Sequence, residues 1–295
     1  MQNVILMYTH IKTMIDNIKV TESDFPFKLI CIDVDGTLLN SNHIISERTL
    51  KSLKFLKKKY GTSIVLASAR MPDAVFNIRD RISNIDPIIC YNGSLVLDSA
   101  KNEIYSKTIN YSSIYKLTEL IKKYNLNMCI YTHNKWYATN IDNFIEDEQK
   151  IVKVIPTVLN HDRILTHIYN NGYLAHKVLC INNPSNLAII EKEIDLIENS
   201  EISFNYSKPT YLEIMPSNTN KIIALKGICK HLKIELSEVL SFGDGENDIS
   251  LLKFSGFGVA MGNATNAVKS IAKAVTLSND DDGIAAYIDS LICPK

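Results

Sequence analysis

LICIDVDGT, residues 29–37, contains the strongest structural signal in the chain. Its leading apolar residues predict a buried strand, and the Asp-Gly-Thr triplet that follows predicts a turn. Because alternate residues of an extended chain point the same way, Asp33 and Asp35 can face one small site where the strand ends. Two carboxylates held that close repel each other unless a cation or a shared proton offsets their charge. The stretch therefore predicts a site that binds an ion or shares a proton.

Strands and helices alternate on both sides of a dissimilar middle region. Ser46 is placed to cap the first helix, Gly61 to end it, and Pro72 to open the next one. The apolar periodicity predicts helices over 47–60 and 219–232, and strands over 63–67, 87–90 and 239–242. This alternation predicts a parallel sheet whose strands are joined by right-handed crossovers.

The middle region lies between Asn92-Gly93 and Lys208-Pro209. Its short, partly alternating apolar segments predict strands over 95–97, 128–132, 136–139, 177–181 and 202–206, with helices over 112–124 and 185–198. Short strands with intervening helices indicate an inserted α+β domain, and Lys208-Pro209 is the predicted hinge out of it.

Together these patterns predict an α/β fold: a Rossmann-like parallel sheet core with helices on both faces, plus an inserted α+β cap domain. The predicted core comprises 28–93 and 209–295, the cap domain comprises 94–208, and an N-terminal extension comprises 1–27. Because the insert is attached at both ends beside loops that follow core strands, we expect it to close over the site as a lid.

Length and charge narrow the classes of function. A chain of 295 residues allows about two domains. Its 32 basic and 32 acidic residues balance to a net charge of +0, which excludes the basic surface of a nucleic-acid or membrane-surface binder. The longest apolar run near the start, 4–8, is too short for a spanning helix or a secretory signal. We expect a cytoplasmic protein that binds neither nucleic acid nor membranes.

Cysteine and histidine residues give no metal or nucleophile pattern. Most of the six cysteines lie in apolar segments and none forms a Cys-x-x-Cys pair, so we expect reduced core thiols: Cys31, Cys90, Cys129, Cys180, Cys229 and Cys293. The seven histidines lack the His-x-x-x-His spacing of a zinc site.

Polar residues follow each predicted core strand. Open parallel sheets bind ligands beyond the carboxyl ends of their strands, so we expect these residues to converge: Asp33, Asp35, Ser68, Asn92, Asp244, Asn247 and Asp248. Several acids without an arginine cluster fit a hard divalent cation with oxygen ligands, and Mg2+ is the simplest choice. The alternative, that Asp244 only caps the helix starting near Asn247, does not explain Asp33 and Asp35.

Lys221 lies in the first turn of a predicted helix, where the helix dipole disfavours a cation. An anionic ligand would offset this unfavourable interaction between the lysine and the helix dipole. A phosphate could accept hydrogen bonds from Lys221, the Ser68 hydroxyl, the Asn247 amide and backbone N–H groups. The alternative is a solvated surface lysine.

Four spaced motifs resemble those of the haloacid dehalogenase superfamily and, within it, the Cof-type phosphatases with a large inserted cap of class IIB. They are Asp33-Val34-Asp35-Gly36-Thr37-Leu38-Leu39, Ala67-Ser68-Ala69-Arg70, Lys221, and Gly243-Asp244-Gly245-Glu246-Asn247-Asp248. The segments 259–264 and 282–285 are similar to further landmarks of the subfamily. The resemblance extends from Lys28 onward. Ala69 and Ile222 stand where glycines are usual, and neither change removes a functional side chain.

The resemblance implies a role for each motif residue. Asp33 would be the nucleophile that forms an aspartyl-phosphate, and Asp35 the acid that protonates the leaving alkoxide and later activates water. Mg2+ would be held by the Asp33 and Asp244 side chains and the Asp35 carbonyl, with Asp248 orienting a ligand or a bound water. The implied substrate- and phosphate-binding residues are Ser68, Lys221, Asn247, Gly36, Thr37 and Asn92.

The implied activity is Mg2+-dependent hydrolysis of small phosphomonoesters, with sugar phosphates as the first expectation. The expected partner is a small phosphorylated metabolite, and the expected state is a monomer or a weak homo-oligomer. Two alternatives stay open: a phosphomutase of the same superfamily and a non-catalytic phospholigand sensor. A dinucleotide-binding protein is excluded because no Gly-x-Gly-x-x-Gly follows the first strand.

Overall fold

The computed structural model describes residues 25–196 and 201–292. Most of the predicted extension 1–27, Cys293 and the end of the helix predicted over 185–198 lie outside the described residues.

The strands of the described chain are β1 (Leu29–Asp33), β2 (Ser63–Ala67), β3 (Ile88–Cys90), β4 (Leu95–Leu97), β5 (Glu103–Ser106), β6 (Asn127–Thr132), β7 (Lys135–Ala138), β8 (Thr157–Val158), β9 (Lys177–Ile181), β10 (Ile202–Lys208), β11 (Tyr211–Pro216), β12 (Val239–Gly243), β13 (Phe257–Ala260) and β14 (Ala274–Val275). The helices are α1 (Glu47–Tyr60), α2 (Pro72–Arg79), α3 (Tyr111–Lys123), α4 (Asn143–Val152), α5 (His161–Asn170), α6 (Pro184–Leu196), α7 (Lys221–Leu232), α8 (Ile249–Phe254), α9 (Asn266–Ile271) and α10 (Gly283–Ile292). Across 25–196 and 201–292, each helix is too short or too polar to cross a bilayer.

The chain divides into two compact units. The first comprises the described residues up to Ala67, Arg79–Pro87 and the described residues from Leu225 onward. The second comprises Ser68–Ile78 and Ile88–Ala224, and it includes the whole of the predicted insert.

The first unit contains parallel strands in the order β14-β13-β12-β1-β2. The chain runs outward from β1 to β2 on one side and from β12 through β13 to β14 on the other. Strand order therefore reverses between β1 and β12, and ligands of open parallel sheets bind beyond the carboxyl ends at such a switch point. Asp33 ends β1 and Asp244 directly follows β12. The predicted α/β class with a parallel sheet is confirmed.

Helix α1 has the bounds and caps that the sequence predicts. The Ser46 side chain accepts a hydrogen bond from the Thr49 N–H, and the Gly61 N–H donates to the Lys57 carbonyl from a left-handed conformation with φ 69°. Its buried side chains include Leu53 and Leu56. This helix connects β1 to β2, so its buried face supports the parallel pair that these two strands form.

The second unit is α+β, as predicted for the insert. Its six-stranded sheet has the order β10-β11-β9-β6-β7-β8, and only the β7–β8 pair is parallel. One face of the sheet packs in a continuous apolar cluster that includes Ile130, Val178 and Leu212 together with side chains of α3, α5 and α6. Strand β4 of this unit pairs antiparallel with β3 and with β5, and these three strands are not part of the six-stranded sheet.

The hinge predicted at Lys208-Pro209 is wrong. Lys208 pairs with Tyr211 across a tight connection, and β11 then pairs with both β10 and β9. Proline marks a turn as readily as a linker because it has no N–H to donate to a ladder. We therefore propose that the insert extends to the end of β11.

The cysteines among the described residues are buried thiols, which confirms the predicted core thiols: Cys31, Cys90, Cys129, Cys180 and Cys229. Burial raises the pKa of the Cys129 thiol to about 12, so this group stays protonated near neutral pH.

Candidate active site

Three carboxylates of the first unit cluster at the switch point. Asp33, Asp244 and Asp248 each offer one oxygen, and these oxygens all lie within 4.8 Å of one another. Asp33 and Asp248 are buried, and Asp244 is half-buried. Such close acids repel strongly where water is excluded. An all-oxygen donor set of this kind fits a hard divalent cation.

The turn after β1 orients the Asp244 carboxylate. The Thr37 hydroxyl donates to Asp244 Oδ1 over 2.6 Å, and Asn263 Nδ2 lies 3.3 Å from Asp244 Oδ2. Asn263 Nδ2 also donates to the Gly36 carbonyl over 2.8 Å, which connects this turn to the Asp244 loop. The hydroxyl of Thr37 is thus engaged with Asp244, so phosphate binding by Thr37 would use its backbone N–H.

Asp248 fixes the backbone of the loop after β12. Its Oδ2 accepts hydrogen bonds from the Asp244 and Gly245 N–H groups, both over 3.1 Å. A carboxylate that binds two backbone donors holds the loop in one conformation. Asp248 therefore positions Asp244 and contributes an oxygen to the same cluster.

Asp35 and Asn247 differ from the clustered acids because their side chains are exposed. The cluster found in the described chain does not include Asp35. An exposed carboxylate can exchange protons with solvent and substrate, which its predicted acid–base role requires.

Gly36 allows the close approach of the first turn to Asp244. Its φ is 80°, and a Cβ at this position would lie 2.4 Å from Asp244 Oδ2. We expect Gly36→Ala to displace Asp244, to lower kcat/KM at least about tenfold and to cost about 1 kcal/mol or more of stability. Steady-state kinetics and urea unfolding measure the two effects.

Gly61→Ala is the matched control for this prediction. Gly61 also has a positive φ of 69°, but nothing lies within 4 Å of its Cβ position. This variant should show a similar backbone cost and keep its activity. Equal activity losses in the two variants would contradict a specific role for the Gly36 approach.

Ser68 and Asn92, in the second unit, belong to one hydrogen-bonded pair of loops. The Ser68 N–H donates to the Ile89 carbonyl over 3.0 Å, and the Asn92 N–H donates to the Ser68 carbonyl over 2.9 Å. The Ser68 hydroxyl accepts from the Arg70 N–H over 3.1 Å. Ser68 is buried, so this turn holds its hydroxyl in a fixed position.

Lys221 is the first residue of α7 and is fully buried. The Asn220 side chain caps the helix by accepting from the Ile223 N–H over 2.9 Å. Gly93, with φ 108°, packs so tightly on this helix start that a Cβ would lie 2.3 Å from the Asn220 carbonyl oxygen. The solvated-lysine alternative for Lys221 is therefore wrong. The second unit thus brings Ser68, Asn92 and Lys221 into adjoining segments.

Two residues at these loops were not predicted. Asn263 lies in the segment 259–264, which resembles a subfamily landmark, but its contacts with Gly36 and Asp244 are visible only in the fold. Glu213 lies in the apolar strand β11, and its carboxylate accepts a hydrogen bond from Asn92 Nδ2 over 3.4 Å. The sequence offered one signal for Glu213: an acidic residue between apolar residues of a strand is unusual and can indicate a functional side chain.

Comparison with known proteins identifies the family. Residues 30–288 match the family model of the haloacid dehalogenase-like hydrolases. YxeH of Bacillus subtilis is 31% identical over 273 residues, which cover 91% of this chain and 100% of YxeH. The 5-amino-6-(5-phospho-D-ribitylamino)uracil phosphatase YcsE of the same organism is 28% identical, covering 91% of this chain and 97% of its own.

A solved structure has the same fold. The crystal structure of a haloacid dehalogenase-like hydrolase from Bacteroides thetaiotaomicron matches with a TM-score of 0.83 and 30% identity, covering 90% of this chain and 99% of that one. Together these matches select the phosphatase among the activities that the motifs left open. This chain belongs to the haloacid dehalogenase-like hydrolases and is a Cof-type phosphatase.

Proposed function

We propose that this phosphatase hydrolyses small phosphomonoesters, sugar phosphates or related metabolites, in an Mg2+-dependent reaction through an aspartyl-phosphate. The observation that carries the proposal is the cluster of Asp33, Asp244 and Asp248, whose oxygens lie within 4.8 Å of one another. When bound there, a divalent cation would offset the charge of the carboxylates and of the phosphoryl oxygens.

The side chains of the first turn can carry out both half-reactions. Asp33 attacks phosphorus in line, and the bond from phosphorus to the ester oxygen breaks while Asp35 protonates the departing alkoxide. Asp35, now a carboxylate, takes a proton from the water that attacks the aspartyl-phosphate. This step releases inorganic phosphate and regenerates Asp33.

Phosphate binding in this proposal falls to residues outside the acidic cluster. Lys221, Ser68, Asn247 and Asn92 donate hydrogen bonds to the phosphoryl oxygens, with backbone N–H groups of Gly36 and Thr37. Stabilising charge on these oxygens is the main requirement of phosphoryl transfer. The position of Lys221, buried in the first turn of α7, supports its role, because helix N-termini bind phosphate groups.

A relative's name supports the proposed class of substrate. YcsE is named for a substrate with a phosphate on a ribityl chain, which supports a small phosphorylated metabolite as the substrate here. Buried cysteine thiols among the described residues support a cytoplasmic location. We also propose a monomer or a weak homo-oligomer.

The test is hydrolysis of p-nitrophenyl phosphate by the purified protein before and after metal removal. EDTA should lower turnover by at least about a hundredfold, because clustered carboxylates then repel the substrate, and added Mg2+ should restore it. Full turnover in EDTA would contradict the metal requirement. A sensor would release no phosphate, and a mutase would isomerise sugar phosphates instead of releasing phosphate.

A further inference from the structure

One face of the six-stranded sheet carries a row of polar and aromatic side chains. Tyr131 of β6 pairs with Trp136 of β7 and with Lys177 of β9, so these three lie side by side. Glu213 of β11 pairs with Leu179, which lies two residues beyond Lys177 and on the same face. We call Tyr131, Trp136, Lys177 and Glu213 the polar row. It lies on the face opposite the apolar cluster of α3, α5 and α6, because side chains alternate along each strand.

The polar row contains a buried ion pair with loose geometry. Lys177 Nζ lies 3.5 Å from Glu213 Oε1, and both side chains are less than a tenth exposed. Glu213 Oε2 accepts from Asn92 over 3.4 Å, while Lys177 also donates to the Ala69 carbonyl over 3.1 Å. Charge-assisted hydrogen bonds are usually about 2.7–2.9 Å long. The free-energy cost of desolvating two charges exceeds the gain from such long contacts, so we do not expect this ion pair to stabilise the fold.

Tyr131 adds a hydroxyl that has no hydrogen-bond partner within 25–196 and 201–292. The residue is 2% exposed, and its ring stacks on Trp136 with centroids 5.6 Å apart. Lys177 Nζ lies 4.9 Å from the centre of the Tyr131 ring. Burial raises the pKa of the Tyr131 hydroxyl, so it stays protonated and can donate. A buried hydroxyl without a partner is costly in a protein, and a ligand that accepts a hydrogen bond from it would remove this cost.

The polar row adjoins the predicted phosphate-binding loops within the second unit. Asn92 connects them, since its side chain donates to Glu213 and its N–H donates to the Ser68 carbonyl. The next residue, Gly93, packs against the backbone of Asn220 and Lys221. A ligand group near Glu213 would therefore lie beside a phosphate held by Ser68 and Lys221.

The donors and acceptors of the row fit hydroxyl groups. A carboxylate accepts from hydroxyls, whereas an ammonium and a phenol O–H donate to them, and each hydroxyl of a polyol does both. Aromatic rings pack well against the C–H groups of such a chain. The paired charges of Lys177 and Glu213 cancel, so the row does not favour a second phosphate. These features favour a substrate whose only charged group is one phosphate.

We propose that Glu213, Lys177 and Tyr131 bind the hydroxyl groups of a polyol phosphate and thereby determine which phosphomonoester is hydrolysed. This inference rests on the proposed function, and it adds the residues that recognise the rest of the substrate.

The test compares kcat/KM for a polyol phosphate with kcat/KM for p-nitrophenyl phosphate, whose aromatic leaving group has no polyol hydroxyls. The probes are ribitol 5-phosphate and sorbitol 6-phosphate, and the faster of the two is used with the variants. Glu213→Gln and Lys177→Met should each lower the ratio at least about tenfold. The control Glu119→Gln, an exposed position on α3, should keep the ratio within about twofold.

The Tyr131→Phe variant distinguishes a role of Tyr131 in substrate recognition from a purely structural role. It should lower the ratio about threefold or more, and it should raise the Tm of the ligand-free protein by a few degrees because it removes an unsatisfied hydroxyl. A purely structural tyrosine would leave the ratio unchanged. If Glu213→Gln does not fold, the same ratio of kcat/KM values measured for Tyr131→Phe tests the proposal: a lowered ratio supports it and an unchanged ratio contradicts it.

Failure of the inference and failure of the proposed function give different results. If the wild type hydrolyses p-nitrophenyl phosphate but prefers none of the polyol phosphates, or if the folded variants keep the wild-type ratio, the polar row does not recognise hydroxyls and the proposed function stands. If the wild type hydrolyses none of these esters with Mg2+, the proposed function is itself wrong.

Discussion

Asp33→Asn should lower kcat by roughly four orders of magnitude or more while the protein stays folded. An amide cannot form the acyl phosphate, and phosphomonoester hydrolysis depends on large acceleration because the uncatalysed reaction is extremely slow. The substitution keeps the size of a side chain that is 6% exposed, so packing should be preserved. Steady-state release of phosphate from p-nitrophenyl phosphate measures the loss.

The same variant also tests the electrostatics of the cluster. Asp33→Asn removes one of three mutually repelling carboxylates, so in EDTA the variant should be more stable than the wild type by about 1 kcal/mol. Urea unfolding in EDTA measures this gain. Asp162→Asn, at an exposed pair with Lys122, is the control and should change neither stability nor kcat appreciably. A well-folded Asp33→Asn variant with more than a tenth of wild-type kcat would contradict the role of Asp33 as nucleophile.

Lys221→Met should lower kcat/KM by about 10²–10³-fold, because a buried donor to the phosphoryl oxygens is lost while the side-chain length is kept. The inhibition constant of inorganic phosphate should weaken in the same variant. Lys226→Met is the matched control, since Lys226 lies on the same helix α7 but is exposed. Retention of kcat/KM within about threefold by a folded Lys221→Met would show that this lysine has only a structural role.

The sequence predicts the first unit more closely than the second. β1, α1 and β2 have strong local signals: a fully apolar run, Ser46 and Gly61 as caps, and a short buried strand. In the second unit, α5 was not predicted although Asn160 caps it and Ile164 and Ile168 lie on one buried face. Helix α4 was also not predicted, because most of its residues are polar; Ile145 and Val152 are buried apolar residues of this helix.

The sequence likewise predicts some residues of the candidate site and not others. Acids that directly follow strands can be assigned to one sheet edge from sequence alone, and the structure brings Asp33, Asp244 and Asp248 together there. Side chains that orient them cannot be assigned in this way, because the contacts of Thr37 and Asn263 with Asp244 depend on loop conformation. Glu213 depends on the register of three strands and on the pairing of β11 that the predicted hinge at Lys208-Pro209 concealed.

Anomalous diffraction from a crystal soaked in MnCl2 shows whether the cluster of Asp33, Asp244 and Asp248 binds a divalent cation. We expect one strong peak at the end of β1 and β12, with carboxylate oxygens of Asp33 and Asp244 at a coordination distance of about 2.1 Å. A peak elsewhere on the molecule, or none at this cluster in manganese-saturated crystals, would contradict it.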